Sequence, residues 1–121
     1  MGRLLVKPGV EFGESLAPAG ARILETLKEL ARGYSFNITI TSARDGQHSG
    51  PADPHHSGEA FDLRVKGLNS AQIALLLNDL RAGLGPAFYS FHEAPGTANA
   101  HIHVQRAKGT TYRISDYLRN A

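Results

Sequence analysis

Segments whose apolar residues recur at helical spacing are interleaved with segments whose apolar residues recur at every second position, and this mixture of periods is what most limits the fold. Over residues 17–32, Ile23, Leu24, Leu27, Leu30 and Ala31 fall on one face, Pro18 suits a first turn and Gly33 a stop, which predicts a helix. Phe36, Ile38 and Ile40 then alternate with Asn37, Thr39 and Thr41, the pattern of a half-buried strand. A second alternation sets Phe61, Leu63 and Val65 against Ala60, Asp62 and Arg64, which turns Asp62 away from the apolar side. Asn69 or Ser70 caps a second helix carrying Ile73, Leu76, Leu77 and Leu80, with Gly83 as its stop. Residues 87–93 and 101–104 read as two more strands joined by a loop containing Pro95, Gly96 and Asn99. The order helix, strand, strand, helix, strand, strand predicts an α+β domain with a mainly antiparallel sheet and helices packed on it.

A chain of 121 residues is the size of one domain, so residues 1–121 are expected to share one core. With 41% hydrophobic and 20% charged residues and no apolar run long enough to span a bilayer, a soluble protein with no membrane partner is expected. The opening residues include Lys7, Pro8, Glu11 and Glu14 and lack the basic-then-apolar pattern of a secretory leader, so synthesis in the cytoplasm is expected. Cys is absent, which excludes a disulfide framework and a thiolate ligand or nucleophile; any metal must be held by His and carboxylates. The net charge is only +2, although Arg106, Lys108, Arg113 and Arg119 make the end more basic; such an end could lean on an anionic polymer, nucleic acid or cell wall, but a solvated surface is the simpler reading, and a monomer without a nucleic-acid partner is expected.

The chemistry-bearing residues are placed unevenly. Between Ser42 and Gly58 lies a long polar stretch with Gly46, Gly50, Pro51 and Pro54, and it carries Arg44, Asp45, His48, Asp53, His55 and His56. A loop of that length is more often functional than idle. His101 and His103 stand two apart, so on a strand both imidazoles share one face while Ile102 and Val104 pack behind. Gly58 gives the chain a turn between His55 and Asp62, so that a loop His can fold back over a strand-borne carboxylate. Two imidazoles and a carboxylate form a recurrent catalytic zinc shell. They also describe the facial triad of non-haem iron oxygenases, although the separation of the first His from the carboxylate favours zinc.

Three segments resemble the zinc D-alanyl-D-alanine carboxypeptidases and L-alanyl-D-glutamate endopeptidases, LAS-type metallopeptidases that share the hedgehog/DD-peptidase fold. They are Thr41-Ser42-Ala43-Arg44, then His55-His56-Ser57-Gly58-Glu59-Ala60-Phe61-Asp62-Leu63-Arg64, then His101-Ile102-His103-Val104. The middle one has the family's His, Gly three later, Ala five later and Asp seven later. The resemblance implies that His55, Asp62 and His103 hold one zinc ion, that His101 sits beside the metal-bound water or the developing oxyanion, and that Arg44 binds a substrate carboxylate or polarises the carbonyl. Two positions depart from the family's pattern. Asp53 stands where a Ser often precedes the first zinc His, and Ala100 stands where many members carry an acidic general base. That role passes to His101 or to Glu93, with His101 preferred; His48 and His92 are further candidates for substrate contact.

The expectation is therefore a zinc peptidase that cuts a peptide bond in bacterial peptidoglycan stem peptides, as a carboxypeptidase or an endopeptidase. A chain this short without a leader suits a phage endolysin or virion-borne lysin that reaches the wall after release. The alternative from another class is a non-catalytic zinc-containing binding module of the same fold.

Overall fold

A computed structural model describes residues 1–10, 12, 18–43 and 59–107 of the chain. Among these residues five strands and two helices follow one another as β1 (Leu4–Val6), α1 (Pro18–Gly33), β2 (Ile38–Ser42), β3 (Ala60–Arg64), α2 (Ser70–Leu84), β4 (Phe88–Glu93) and β5 (His101–Arg106). The strands form one sheet in the order β1-β2-β3-β5-β4. β1 runs parallel to β2, and the remaining neighbours are antiparallel, so the α+β sheet is mixed.

The period-two residues explain why the sheet has two unlike faces. Ile38, Ile40, Phe61, Leu63, Ile102 and Val104 are fully buried and meet Ile23 and Leu27 of α1 and Leu76 and Leu80 of α2 in one continuous core. Both helices thus cover the same face, and the side chains at intervening strand positions, including Asp62, His101 and His103, point to the other. Tyr34, just past α1, donates from its hydroxyl to Asp79 Oδ2 of α2 at 2.6 Å, which ties the helices together. Burial of the phenol, its bond to Asp79 and that carboxylate's charge all push the Tyr34 pKa up, so the hydroxyl stays a donor.

Several boundaries differ from the sequence reading for identifiable reasons. β1 is absent from it: Leu4, Leu5 and Val6 do not alternate, and only the pairing of Leu4 with Ile38 and Val6 with Ile40 makes them a strand. α2 passes through Gly83 and stops at Gly85, whose φ of 81° suits the left-handed region that glycine occupies freely. Gly83 serves packing instead, since a Cβ there would lie 3.2 Å from Thr26 Cγ2 of α1. At the other end Asn69 forms a full capping box, accepting from Gln72 N at 2.8 Å while its own N–H donates to Gln72 Oε1 at 2.9 Å. No helix among the described residues is long and apolar enough to cross a membrane.

Two features hold β3 in register. Asp62 pairs with Ser42, and Leu63 with Ile40, so the register shifts at Thr41 and β2 bulges beside Asp62; the Thr41 hydroxyl donates to the Asp62 carbonyl at 3.4 Å. Arg106 at the end of β5 clasps Glu59 at the start of β3 through Nε–Oε2 at 2.5 Å and Nη2–Oε1 at 3.2 Å, with its backbone N–H donating to the Glu59 carbonyl.

Asn69→Ala should lower unfolding stability by about 1 kcal/mol through loss of the cap. Ile102→Ala, at a fully buried position, should cost about 2–5 kcal/mol. Urea denaturation followed by far-ultraviolet circular dichroism would measure both, and equal losses would contradict the assignment of Ile102 to the core.

Candidate metal centre

On the face away from the helices, β3, β5 and β4 lie side by side and bring four chemistry-bearing side chains together. Asp62 pairs directly with His103, and His103 with Phe91; one step along, Arg64 pairs with His101, and His101 with Glu93. His103 Nδ1 lies 2.9 Å from Asp62 Oδ1, and His101 Nε2 lies 3.6 Å from the same oxygen and 3.1 Å from Glu93 Oε2. His103 is the most enclosed of the group, at 9% exposure, with the Phe91 ring tilted against its imidazole at 5.3 Å. Glu93 stands at the rim with about half its side chain exposed.

The far nitrogen of each imidazole is held by a fixed acceptor. Gln105 donates from Nε2 to the Arg106 carbonyl at 2.9 Å, so its Oε1 is the atom that accepts from His103 Nε2 at 2.6 Å. The Asn99 carbonyl accepts from His101 Nδ1 at 2.7 Å. That carbonyl is presented by the β4–β5 turn, in which the Thr97 hydroxyl donates to the Ala94 carbonyl and accepts from Asn99 N. With their far nitrogens spent as donors, His101 Nε2 and His103 Nδ1 face carboxylate oxygen. Oxygen and an unprotonated ring nitrogen both offer lone pairs, so either a proton or a metal cation must lie between them.

For His103 the proton is well supported. Burial of the ring works against its charge, but the bonds to Asp62 and Gln105 and the carboxylate charges of Asp62 and Glu93 outweigh it and raise the pKa above the ordinary imidazole value. A metal fits the same geometry. Asp62, His101 and His103 each offer one ligand atom, all within 4.8 Å of one another. A tetrahedral zinc with bonds of about 2.0–2.1 Å separates its ligands by about 3.4 Å, between the two Asp62 distances observed. The far-nitrogen tethers supply the outer contacts that such sites use to fix ring orientation.

Of the residues singled out from the sequence, Asp62, His103, His101 and Glu93 are brought together here. Arg44, His48 and His55 lie outside the described residues, as do Asp53 and most of the polar loop. His92, which pairs with Ile102, turns toward the helix side and away from the cluster, where its Nε2 is buried without a hydrogen-bond partner among the described residues. Gln105 and the Asn99 carbonyl are missing from the sequence reading. Gln105 was within its reach, because His101, His103 and Gln105 continue one period-two face, and β5 runs on to Arg106 rather than ending at Val104. The Asn99 carbonyl carried no such signal, because it depends on the turn's conformation. No family model, curated protein or solved structure matches the chain.

A raised folded-state value means that the His103 proton stabilises the metal-free fold fully below the unfolded imidazole value near 6.5, and that this contribution is lost as pH rises through the folded value. In metal-free protein, nuclear magnetic resonance titration should place the His103 midpoint above about 6.5, and Asp62→Asn should lower it. An unchanged midpoint in that variant would refute the assigned cause. A divalent cation must displace that proton, so its affinity should fall as the solution is acidified from neutral pH.

Proposed function

We propose that this chain is a zinc-dependent peptidase that hydrolyses a peptide bond in bacterial peptidoglycan stem peptides, with a domain of the hedgehog/DD-peptidase kind. The observation that carries the reading is the convergence of Asp62, His101 and His103 on one point of the sheet face that lies away from the helices, with Glu93 within 3.1 Å of His101. The substrate class rests on the resemblance of the three motif segments rather than on the cluster itself.

Asp62 and His103 would hold the ion, with His55 as the third ligand implied by the motif. Bound zinc would supply a Lewis acid for the scissile carbonyl and lower the pKa of water to about 7. The remaining work falls to the chain's own groups. His101 and Glu93 form an imidazole–carboxylate pair at the mouth of the site, suited to accept a proton from the attacking water and return it to the leaving amine. The Asn99 carbonyl fixes His101 so that Nε2, not Nδ1, faces the reacting atoms. Arg44 would bind or polarise the substrate. The position of His101 within the cluster favours a second reading, in which His101 is itself a ligand and Glu93 alone moves the proton.

Purified protein incubated with isolated peptidoglycan should release a defined stem-peptide fragment, identified by mass spectrometry, and a chelator should abolish the release. Glu93→Gln should reduce the rate by about 10²–10⁴-fold with the metal retained. His101→Gln should do the same if His101 handles protons, and should lose the metal if His101 is a ligand. Metal-loaded protein that releases nothing from several wall chemotypes would instead be a binding module.

A further inference from the structure

Three of the five exposed large apolar side chains among the described residues, Met1, Leu5 and Val6, lie on β1 or just before it. β1 ends the sheet, and neighbours on a pleated strand point to opposite faces, so Leu5 and Val6 stand out on the two sides of one edge. β2 takes only alternate backbone groups of this strand: the Arg3 carbonyl accepts from Ile38 N, and Lys7 N donates to the Ile40 carbonyl. The backbone groups of Leu4 and Val6 are therefore turned outward, and no other strand of the described residues pairs with them.

Beside this edge a hollow of about 360 Å³ lies between β1 and α1, lined by Arg3, Lys28 and Arg32 together with Gly2 and Leu4. All three cations are exposed, and among the described residues no acid lines the hollow and none of the three forms an ion pair with a carboxylate. Lys28 and Arg32 stand one turn apart on α1, where like charges repel. Arg3 is brought up to them by Gly2, whose N–H donates to the Tyr34 carbonyl at 2.7 Å and where a Cβ would lie 2.0 Å from the Phe36 carbonyl oxygen. Cations gathered without counter-charge repel one another, and an anion placed among them relieves that repulsion. Charges beside an edge strand also guard it against pairing with a further strand, a task for Arg3 and Lys7. It leaves Lys28 and Arg32 unexplained, because they belong to a helix, which has no edge to guard.

We infer that this rim is a docking surface for an anionic lipid bilayer, with a lipid phosphate among Arg3, Lys28 and Arg32 and with Leu5 and Val6 at the level where headgroups meet acyl chains. Apolar side chains next to a cationic hollow match the two layers of such a surface, one apolar and one negatively charged. The long stems of Lys and Arg can lie along apolar material while their charged ends stay among phosphates. A soluble polyanion would use the cations and leave Leu5 and Val6 without a role, and a further β-strand would use the edge and leave the hollow without one. The outward backbone groups of Leu4 and Val6 keep β1 at the interface, where water and headgroups can bond to them, and out of the hydrocarbon. The expectation of no membrane partner rests on the lack of a spanning segment, and surface attachment needs none. The inference depends neither on the metal cluster nor on the peptidase reading.

The test is to mix the full chain with vesicles of phosphatidylcholine and with vesicles of equal parts phosphatidylcholine and phosphatidylglycerol, and to measure the fraction that sediments with lipid at low and high salt. Attachment to the anionic vesicles should be at least about tenfold stronger and should weaken as salt is raised. Lys28→Gln with Arg32→Gln should weaken it about 25-fold, at about fivefold for each cation. Loss of two cations elsewhere, by Arg64→Gln with Lys66→Gln in the cleft of about 350 Å³ that these residues and Lys7 line beside the metal cluster, should weaken it far less. Leu5→Thr with Val6→Thr keeps a β-former at Val6 and places one at Leu5, so it should reduce attachment several-fold and leave the salt dependence unchanged. Circular dichroism verifies the fold of each variant, and should the threonine variant fail to fold, the two charge pairs still decide the matter. Equal attachment of the parent protein to both kinds of vesicle overturns the proposal, as do equal losses from the two charge pairs or undiminished attachment of a folded threonine variant. Inorganic polyphosphate bound as tightly as the anionic vesicles, by parent and threonine variant alike, would make the hollow a site for a soluble polyanion and overturn the lipid assignment.

Discussion

The pairing of β3 with β5 is the constraint on which the rest depends. Because side chains alternate with a period of two, one register decides both faces at once: Phe61, Leu63, Ile102 and Val104 go to the helices, and Asp62, His101 and His103 go to the opposite side. A slip by one residue would carry four large apolar groups into water and bury two imidazoles and a carboxylate against leucine and isoleucine. Hydrophobic burial therefore fixes the position of the polar groups, although it makes no contact with their chemistry. The Arg106–Glu59 clasp and the bulge at Thr41 act on the same strand and hold it at its two edges.

The site built on this register is an arrangement of acceptors short of positive charge. Asp62, Glu93, the Asn99 carbonyl and Gln105 Oε1 surround two imidazoles, and every ring nitrogen faces an oxygen. At His103 a proton meets that demand at low pH, and a divalent cation can meet it at higher pH. Such exchange makes a His-rich cluster sensitive to both acidity and metal supply.

Much of this was legible in the chain, and the limits have physical causes. Periodicity placed both helices and four of the strands, because their apolar residues report burial on one side. It did not place β1, whose Leu4, Leu5 and Val6 lack alternation and become a strand only through parallel pairing with β2. Gly83 was read as a helix stop because a glycine near the end of a helical pattern usually is one; here it makes room for Thr26, and Gly85 ends the helix. The gathering of Asp62, His101 and His103 could be anticipated from spacing within each strand. The position of Lys7 on the same cleft as Arg64 and Lys66 could not, since it depends on the strand that periodicity leaves out.

The ligand atoms of the cluster come from residues 41 apart, Asp62 on one strand and His103 on another, with α2 and the whole of β4 between them. An unfolded chain would have to close that loop to present the same ligands, an entropic cost of a few kcal/mol that the folded sheet has already met. An ion that binds there consequently binds the native state and scarcely the unfolded one. Its concentration adds to the fold's stability by mass action. The lifetime of this small, disulfide-free domain against proteolysis would then rise and fall with the divalent metal around it, quite apart from any reaction the metal serves.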